Sequence, residues 1–396
     1  MIKIETGRGT IPLMTLLAIW SISLVVNLPG LAISPILGNM ETIFPGTSQL
    51  EVQLLTILPN LFIIPFVLLS GRLSLSSNKI LILVVALIIY LSSGVLYFFA
   101  SSMTQLIVIS CMLGIGCGLL IPLAAGLLTD FFIGKYRMKQ LGIKSGIANM
   151  SLVVATLAVG WLGAKNWHLP FVVYLLPLVP LLFTPFLRGD KGKTENSAEI
   201  IGSLDKGKLI SIVFQYGFIT FIVSVISYYF PFLAQSHGIG DSAVGIITAL
   251  FFFFIMAPGF VLPYVIKLFR GWTSVIMIFS LGLGLLVMLS TDNVFMYGLG
   301  AVLMGFGYGT MQPVIYDKAA EASSGKKSTL ALAIVLAMNY VAVTIAPFIV
   351  DLFKDIFHTQ TNHFPFVLDL VLVVLYLAYG IVRKSSFAFA VNKEYL

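Results

Sequence analysis

Apolar residues fill this chain in stretches of about 20, the length that crosses the hydrocarbon core of a bilayer as a helix. Such stretches fall near 12–36, 51–70, 79–99, 105–129, 140–163, 167–187, 209–234, 242–267, 272–290, 294–320, 328–353 and 364–383. Short polar connections separate them, and the joins at 163–167 and 290–294 leave room only for tight turns. One connection is different in kind. Residues 188–208, RGDKGKTENSAEIIGSLDKGK, form the only long hydrophilic stretch and read as a linker between a half over 1–187 and a half over 209–396. The pattern predicts an all-α membrane protein of twelve transmembrane helices in two six-helix repeats.

An internal repeat supports the two halves. The fourth span carries GIGCGLLIPLAAGLLTD from Gly114 to Asp130, and the tenth carries GFGYGTMQPVIYDKAAE from Gly305 to Glu321. Both read G-x-G-x-G-x-x-x-P with an acid eight residues further on, at a constant offset of 191. The small residues imply close helix packing, and each proline implies a kink. Parallel repeats of this kind are one way that transporters build two halves around a central site.

Composition agrees. The 396 residues are 59% hydrophobic and 10% charged, against about 25% charged in soluble domains. A mean hydropathy of +1.03 leaves lipid as the solvent for most of the chain. The net charge of +7 forms no stripe and excludes nucleic acid as the partner. Its distribution sets orientation instead. Lys165 and Lys354 fall on one side; every other Lys and Arg falls at the termini or in the even-numbered connections. The positive-inside rule then places both termini in the cytoplasm of a bacterial inner membrane. Trp161 and Trp167 fall at the expected outer interface and Trp272 at the inner one. No cleavable signal peptide is expected, because the apolar run after Lys3, Glu5 and Arg8 is too long for one. Cys111 and Cys117 share one helix, so a disulfide framework is excluded.

Ionisable and polar groups at membrane depth are expensive and mark functional candidates. Glu51, Asp130, Asp351 and Asp369 fall near span ends. Asp317 sits a turn deeper than Glu321, on the face of Pro313, and its repeat partner is Gly126. Two readings stand: Asp317 couples protons, or it pairs with Lys318 or Lys144 as part of an inner gate. Asp130 with Arg137 reads as an inner-gate pair, and Glu321 takes the place of Asp130 in the second repeat. A neutral set, Asn27, Asn60, Asn149, Gln312 and Asn339, falls near mid-span and offers donors and acceptors without charge. Helix–helix hydrogen bonding is the alternative for each. Aromatic residues, among them Tyr216, Tyr308, Tyr316 and Tyr340, supply apolar walls with a polar handle, or simply fill the core. His168, His237, His358 and His363 all fall on the expected outer face, in no ligand spacing, so no metal is expected. There is no phosphate-binding G-x-x-x-x-G-K-[ST], so no nucleotide cofactor is expected. No nucleophile and base meet at depth, which argues against an enzyme.

The chain resembles the major facilitator superfamily over nearly its whole length. The resemblance rests on the six-plus-six spans, the central connection and the short basic connections after the second and eighth. It also rests on LLTDFFIGKYR closing the fourth span, and on Trp167-His168-Leu169-Pro170-Phe171, which is similar to the family's W-R-x-P-F. The loop motif G-x-x-x-D-R-x-G-R-[KR] appears as Gly71 to Lys79 without its aspartate and second glycine. Ser110 stands where many drug:proton antiporters have arginine, and the fifth span lacks their Gly-Pro pair. The resemblance implies a monomeric alternating-access secondary transporter whose first, second, fifth, tenth and eleventh helices border a central cavity. Proton-coupled export of a small amphipathic molecule or drug is the leading expectation. Proton-coupled uptake of a small polar solute, or lipid flipping on the same fold, stands beside it.

Overall fold

The computed structural model describes residues 3–7, 9–76, 78–132, 134–187, 205–322 and 327–382. The chain forms two compact units, Met1–Asn196 and Ser197–Leu396. Most of the stretch read as a linker, 188–204, lies outside the described residues. Among the described residues, ten helical segments are long and apolar enough to cross a membrane, and Leu13–Ser23 and Asp241–Met256 are shorter apolar helices.

The first unit opens with a short antiparallel hairpin, β1 (Lys3–Glu5) with β2 (Thr10–Pro12), which the hydropathy pattern does not predict. The Tyr136 hydroxyl donates to Glu5 Oε2 at 2.9 Å, and that carboxylate holds the phenol above its usual pKa. The helices α1 (Leu13–Ser23), α2 (Leu37–Ile43), α3 (Gln49–Ser76), α4 (Lys79–Leu96), α5 (Met103–Phe131), α6 (Gly134–Gly163) and α7 (Leu178–Phe183) follow. The second unit contains α8 (Lys206–Val223), α9 (Val225–Tyr228), α10 (Phe230–Ser236), α11 (Asp241–Met256) and α12 (Pro258–Phe269). It continues with α13 (Thr273–Leu289), α14 (Val294–Glu321), α15 (Lys327–Ile356) and α16 (Phe364–Val382).

The repeated glycines explain the packing of both units. In the first, α5 lies against α3 and α4. A methyl group at Gly114 would come 2.5 Å from the Pro59 carbonyl oxygen, at Gly116 2.8 Å from the Tyr90 nitrogen, and at Gly118 2.8 Å from the Ile63 oxygen. In the second, α14 lies against α11 and α13. A methyl group at Gly305 would come 2.5 Å from the Phe251 oxygen, and at Gly307 2.8 Å from the Met277 oxygen; Gly309 faces the Ile255 backbone. Gly116 sits beside Ala86 and Tyr90, and Gly307 beside Met277 and Leu281, so the 191-residue offset extends to the packing partners.

Several expected spans are interrupted. Over 12–36 a continuous helix was expected, but α1 ends at Ser23 and residues 24–33 follow an irregular path. Pro29 has no N–H to give Val25, and it disfavours helix at Leu28. Over 167–187 the chain forms two 3₁₀ segments, Leu169–Leu175 and Thr184–Leu187, around the single short helix α7. Pro170, Pro177, Pro180 and Pro185 remove the donors that a continuous helix needs. The expected 209–234 helix breaks at Ser224 and Tyr229, ahead of Pro231, and the expected 242–267 helix breaks at Ala257, ahead of Pro258.

Candidate functional site

Non-helical backbone at membrane depth is tolerated only when the protein itself satisfies it. The interruption after α1 meets that requirement through three helices. Ser151 of α6 donates to the Leu24 oxygen at 2.6 Å, Tyr90 of α4 to the Val25 oxygen at 3.3 Å, and Cys117 of α5 to the Val26 oxygen at 3.5 Å. The same segment presents Asn27, whose Nδ2 donates to Asn149 Oδ1 on α6 at 3.2 Å. Two of the expected amides therefore meet. An apolar groove of about 460 Å³ runs along the same elements, lined by Leu24, Met150, Ser151, Val154 and Val173 among others. Asn60 is placed differently. Its Nδ2 donates to the Thr56 carbonyl of its own helix at 3.0 Å, and its side chain covers Gly30, where a methyl group would lie 2.6 Å from Oδ1.

The second unit holds a denser cluster. Tyr216 and Thr220 lie one turn apart on α8, and Tyr308, Gln312 and Tyr316 lie one turn apart on α14. Asn339 comes from α15. Its Nδ2 lies 2.9 Å from the Tyr308 hydroxyl, 3.2 Å from Tyr216 and 3.3 Å from Thr220 Oγ1. Gln312 Nε2 donates to the Tyr216 hydroxyl at 3.3 Å, and the Tyr308 and Tyr316 hydroxyls each lie 3.3 Å from it. The Tyr216 and Tyr308 rings are near-parallel, with centroids 6.3 Å apart, and Tyr316 meets Tyr216 edge-on. Tyr216 is fully buried, whereas Gln312, Tyr316 and Asn339 are half-buried. Both amides spend their nitrogens inside the cluster. Among the described residues, their oxygens accept no hydrogen bond, leaving two acceptors at its edge.

An apolar groove of about 390 Å³ runs along α8 and α15, lined by Leu209, Ile210, Val213, Phe214, Ile334 and Met338 with Lys206. Met338 precedes Asn339, and Val213 precedes Tyr216 by one turn. A polar cluster and an apolar groove on the same pair of helices fit a molecule with both characters.

Five expected site residues thus converge: Tyr216, Tyr308, Gln312, Tyr316 and Asn339. Tyr340, next on α15, is half-buried. Asp317, Asp130, Arg137 and Glu321 lie on α14, α5 and α6, but their side chains fall outside what the structure describes. Thr220 was not anticipated. Nor was the chain in which Tyr376 of α16 donates to Gln215 Oε1 at 2.9 Å and Gln215 Nε2 donates to Ser211 Oγ at 2.9 Å. Asp369, on the second turn of α16 and so near a span end, is 2% exposed, and among the described residues its Oδ1 has no hydrogen-bond partner. Ser110, at the position where many drug:proton antiporters have arginine, is fully buried and shares a hydrogen bond of 2.8 Å with the Tyr97 hydroxyl. Tyr97 in turn stacks on Phe171, with centroids 4.4 Å apart.

Known proteins resemble this chain over parts of its sequence and over the whole fold. A multidrug transporter protein, MdtP of Bacillus subtilis (strain 168), is 28% identical over 168 residues, which are 42% of this chain and 30% of that protein. A protein named Probable 4-methylmuconolactone transporter, of Cupriavidus pinatubonensis (strain JMP 134 / LMG 1197), is 33% identical over 119 residues, 29% of this chain and 28% of that one. The matched segments thus span under a third of either relative. Solved structures show the same fold over nearly the whole chain. A bacterial homologue of the human lysosomal transporter Spinster, inward-facing and occupied, superposes with a TM-score of 0.72 at 17% identity, covering 96% of this chain and 98% of that one. A D-xylose–proton symporter gives 0.70 at 16%, covering 95% and 97%. The peptide transporter POT in complex with sulfate gives 0.74 at 13%, covering 95% of each. The sequence profile of the Major Facilitator Superfamily matches residues 13–214 and again 209–388, once per half. The chain therefore belongs to the Major Facilitator Superfamily and is a multi-pass membrane protein.

Proposed function

We propose that this transporter exports a small amphipathic molecule in exchange for protons, working as a monomer by alternating access in a bacterial inner membrane with both termini cytoplasmic. Asp317 carries the coupling proton. Asp130, Arg137 and Glu321 close the cytoplasmic gate. The observation that carries the reading is the polar cluster around Tyr216 and Asn339 on the same two helices, α8 and α15, as the apolar groove. The groove takes the apolar body of the substrate, and the amide oxygens of Gln312 and Asn339 take its donor groups. Asn27, Asn149 and Asn60 supply the polar contacts of the first unit, and Tyr340 adds aromatic surface beside Asn339. The partial relative named as a multidrug transporter supports an amphipathic substrate.

A second reading, proton-driven uptake of a small polar solute, draws on the same two amide oxygens. The reaction direction separates the two. In proteoliposomes loaded with a pH-sensitive dye, lipophilic compounds are expected to move protons against themselves, and Asp317→Asn is expected to abolish uphill transport while expression and fold persist. Uphill transport that survives Asp317→Asn removes Asp317 from the coupling role. Proton movement only in the direction of a polar solute replaces export by uptake.

A further inference from the structure

Three distant points of the second unit meet in one place. His237 ends α10, Asp292 sits in the connection between α13 and α14, and His363 immediately precedes α16. His237 Nδ1 lies 2.9 Å from Asp292 Oδ1. The His363 ring centroid is 5.3 Å from that of His237. One potential ligand atom from each of the three residues lies within 4.8 Å of the other two. Tyr297 lies behind them. Its ring is fully buried, and its hydroxyl is 2.9 Å from His237 Nδ1 and 3.5 Å from Asp292 Oδ1.

A simple His–Asp pair accounts for His237 and Asp292 but gives His363 no reason to stand beside them. Two imidazoles and one carboxylate are a known donor set for a divalent transition metal, with a fourth position left for water. Hard ions such as magnesium and calcium prefer all-oxygen surroundings and fit it poorly. We propose that His237, Asp292 and His363 bind one zinc-class divalent ion at this end of the second unit.

The geometry needs little change to accept the ion. Around a tetrahedral ion with bonds of about 2.0–2.2 Å, ligand atoms stand roughly 3.3–3.6 Å apart. The 2.9 Å contact opens by a few tenths of an ångström as the ion enters between Nδ1 and Oδ1. The side chain of Asp292 is 73% exposed and free to adjust, whereas that of His237, at 18%, is held. The Tyr297 hydroxyl then donates to Asp292 and fixes the carboxylate, the usual role of an outer layer around a metal. The bound ion ties α10, the α13–α14 connection and α16 together, independently of what is transported. A bound metal also stabilises the folded state by mass action.

The test uses the full-length protein in detergent, purified without a polyhistidine tag and stripped of metal. Zinc is titrated against a chromophoric chelator, and cobalt is titrated with its visible absorption as a report of nitrogen and oxygen coordination. One ion per chain is expected, with a raised melting temperature and no competition from magnesium. Replacing His363 or Asp292, as His363→Gln or Asp292→Asn, is expected to weaken zinc binding at least about tenfold. His363 donates no hydrogen bond to the pair, so its variant keeps the metal-free melting temperature. His358→Gln, on an exposed residue outside the cluster, is expected to change nothing. Absence of saturable zinc binding overturns the site. So does undiminished affinity in His363→Gln, or an equal loss in His358→Gln.

Discussion

The hydroxyl of Tyr216 has more neighbours than bonds. It can donate once and accept twice, yet Tyr308, Tyr316, Gln312 and Asn339 all stand within hydrogen-bond reach. The cluster therefore has several pairings of similar energy, and a substrate donor can enter without leaving a protein group unpaired. Tyr216→Phe keeps the ring stack and removes the hub. Loss of one or two such bonds, about 1–2 kcal/mol, is expected to weaken substrate binding roughly five- to thirtyfold at preserved expression, measured by equilibrium binding to purified protein. Unchanged affinity would make the cluster a packing device. Asp369 presents the opposite case. A buried polar atom without a partner costs about 1–3 kcal/mol, so Asp369→Leu is expected to raise the melting temperature in detergent; a lowered one would show that the carboxyl has a use. The aromatic and amide members of the site were legible because their depth can be counted along a span. Thr220, Gln215 and Tyr376 were not, since sequence gives the depth of a residue but not the helix that it faces. The burial of Asp369 was not legible for a related reason: closeness to a span end says nothing about whether a side chain turns to water or into the bundle.

At the scale of elements, the glycine ladder on α5 and α14 sets helix spacing. Gly307→Val drives side-chain atoms into the Met277 backbone and the Leu281 side chain. It is expected to destabilise the protein by at least about 1–3 kcal/mol, as overpacking does. Among the described residues no atom lies within 4 Å of a methyl group added at Gly126, and Gly126→Ala is expected to be neutral, or to stabilise by about 0.5–1 kcal/mol through helix propensity. Equal melting temperatures for the two variants would contradict this account of the ladder. The ladder was visible in the sequence because its spacing recurs. The interruptions were not, although every proline was in view. A hydropathy window averages over 20 or so positions, and apolar residues score alike whether they wind as an α-helix, a 3₁₀ turn or an irregular segment. What distinguishes them is the supply of side-chain donors from other helices, which no local window contains.

For the molecule as a whole, the two-half organisation was readable because both halves repeat one packing scheme, down to the residues that face Gly116 and Gly307. The meeting of His237, Asp292 and His363 was not, because each comes from a different connection and only the closed fold unites them. One feature of the first unit also bears on how the protein is made. The carbonyls of Leu24, Val25 and Val26 are covered by Tyr90, Cys117 and Ser151. Chains are synthesised from the N-terminus at about 5–20 residues per second. Residues 24–26 are thus completed by groups that leave the ribosome several seconds later than they do, the last of them on the fifth span. Until Ser151 arrives, residues 24–26 need another source of donors, either water at the insertion machinery or a provisional helix. The span that carries residues 24–26 is made before the fifth, yet it reaches its final form only after it.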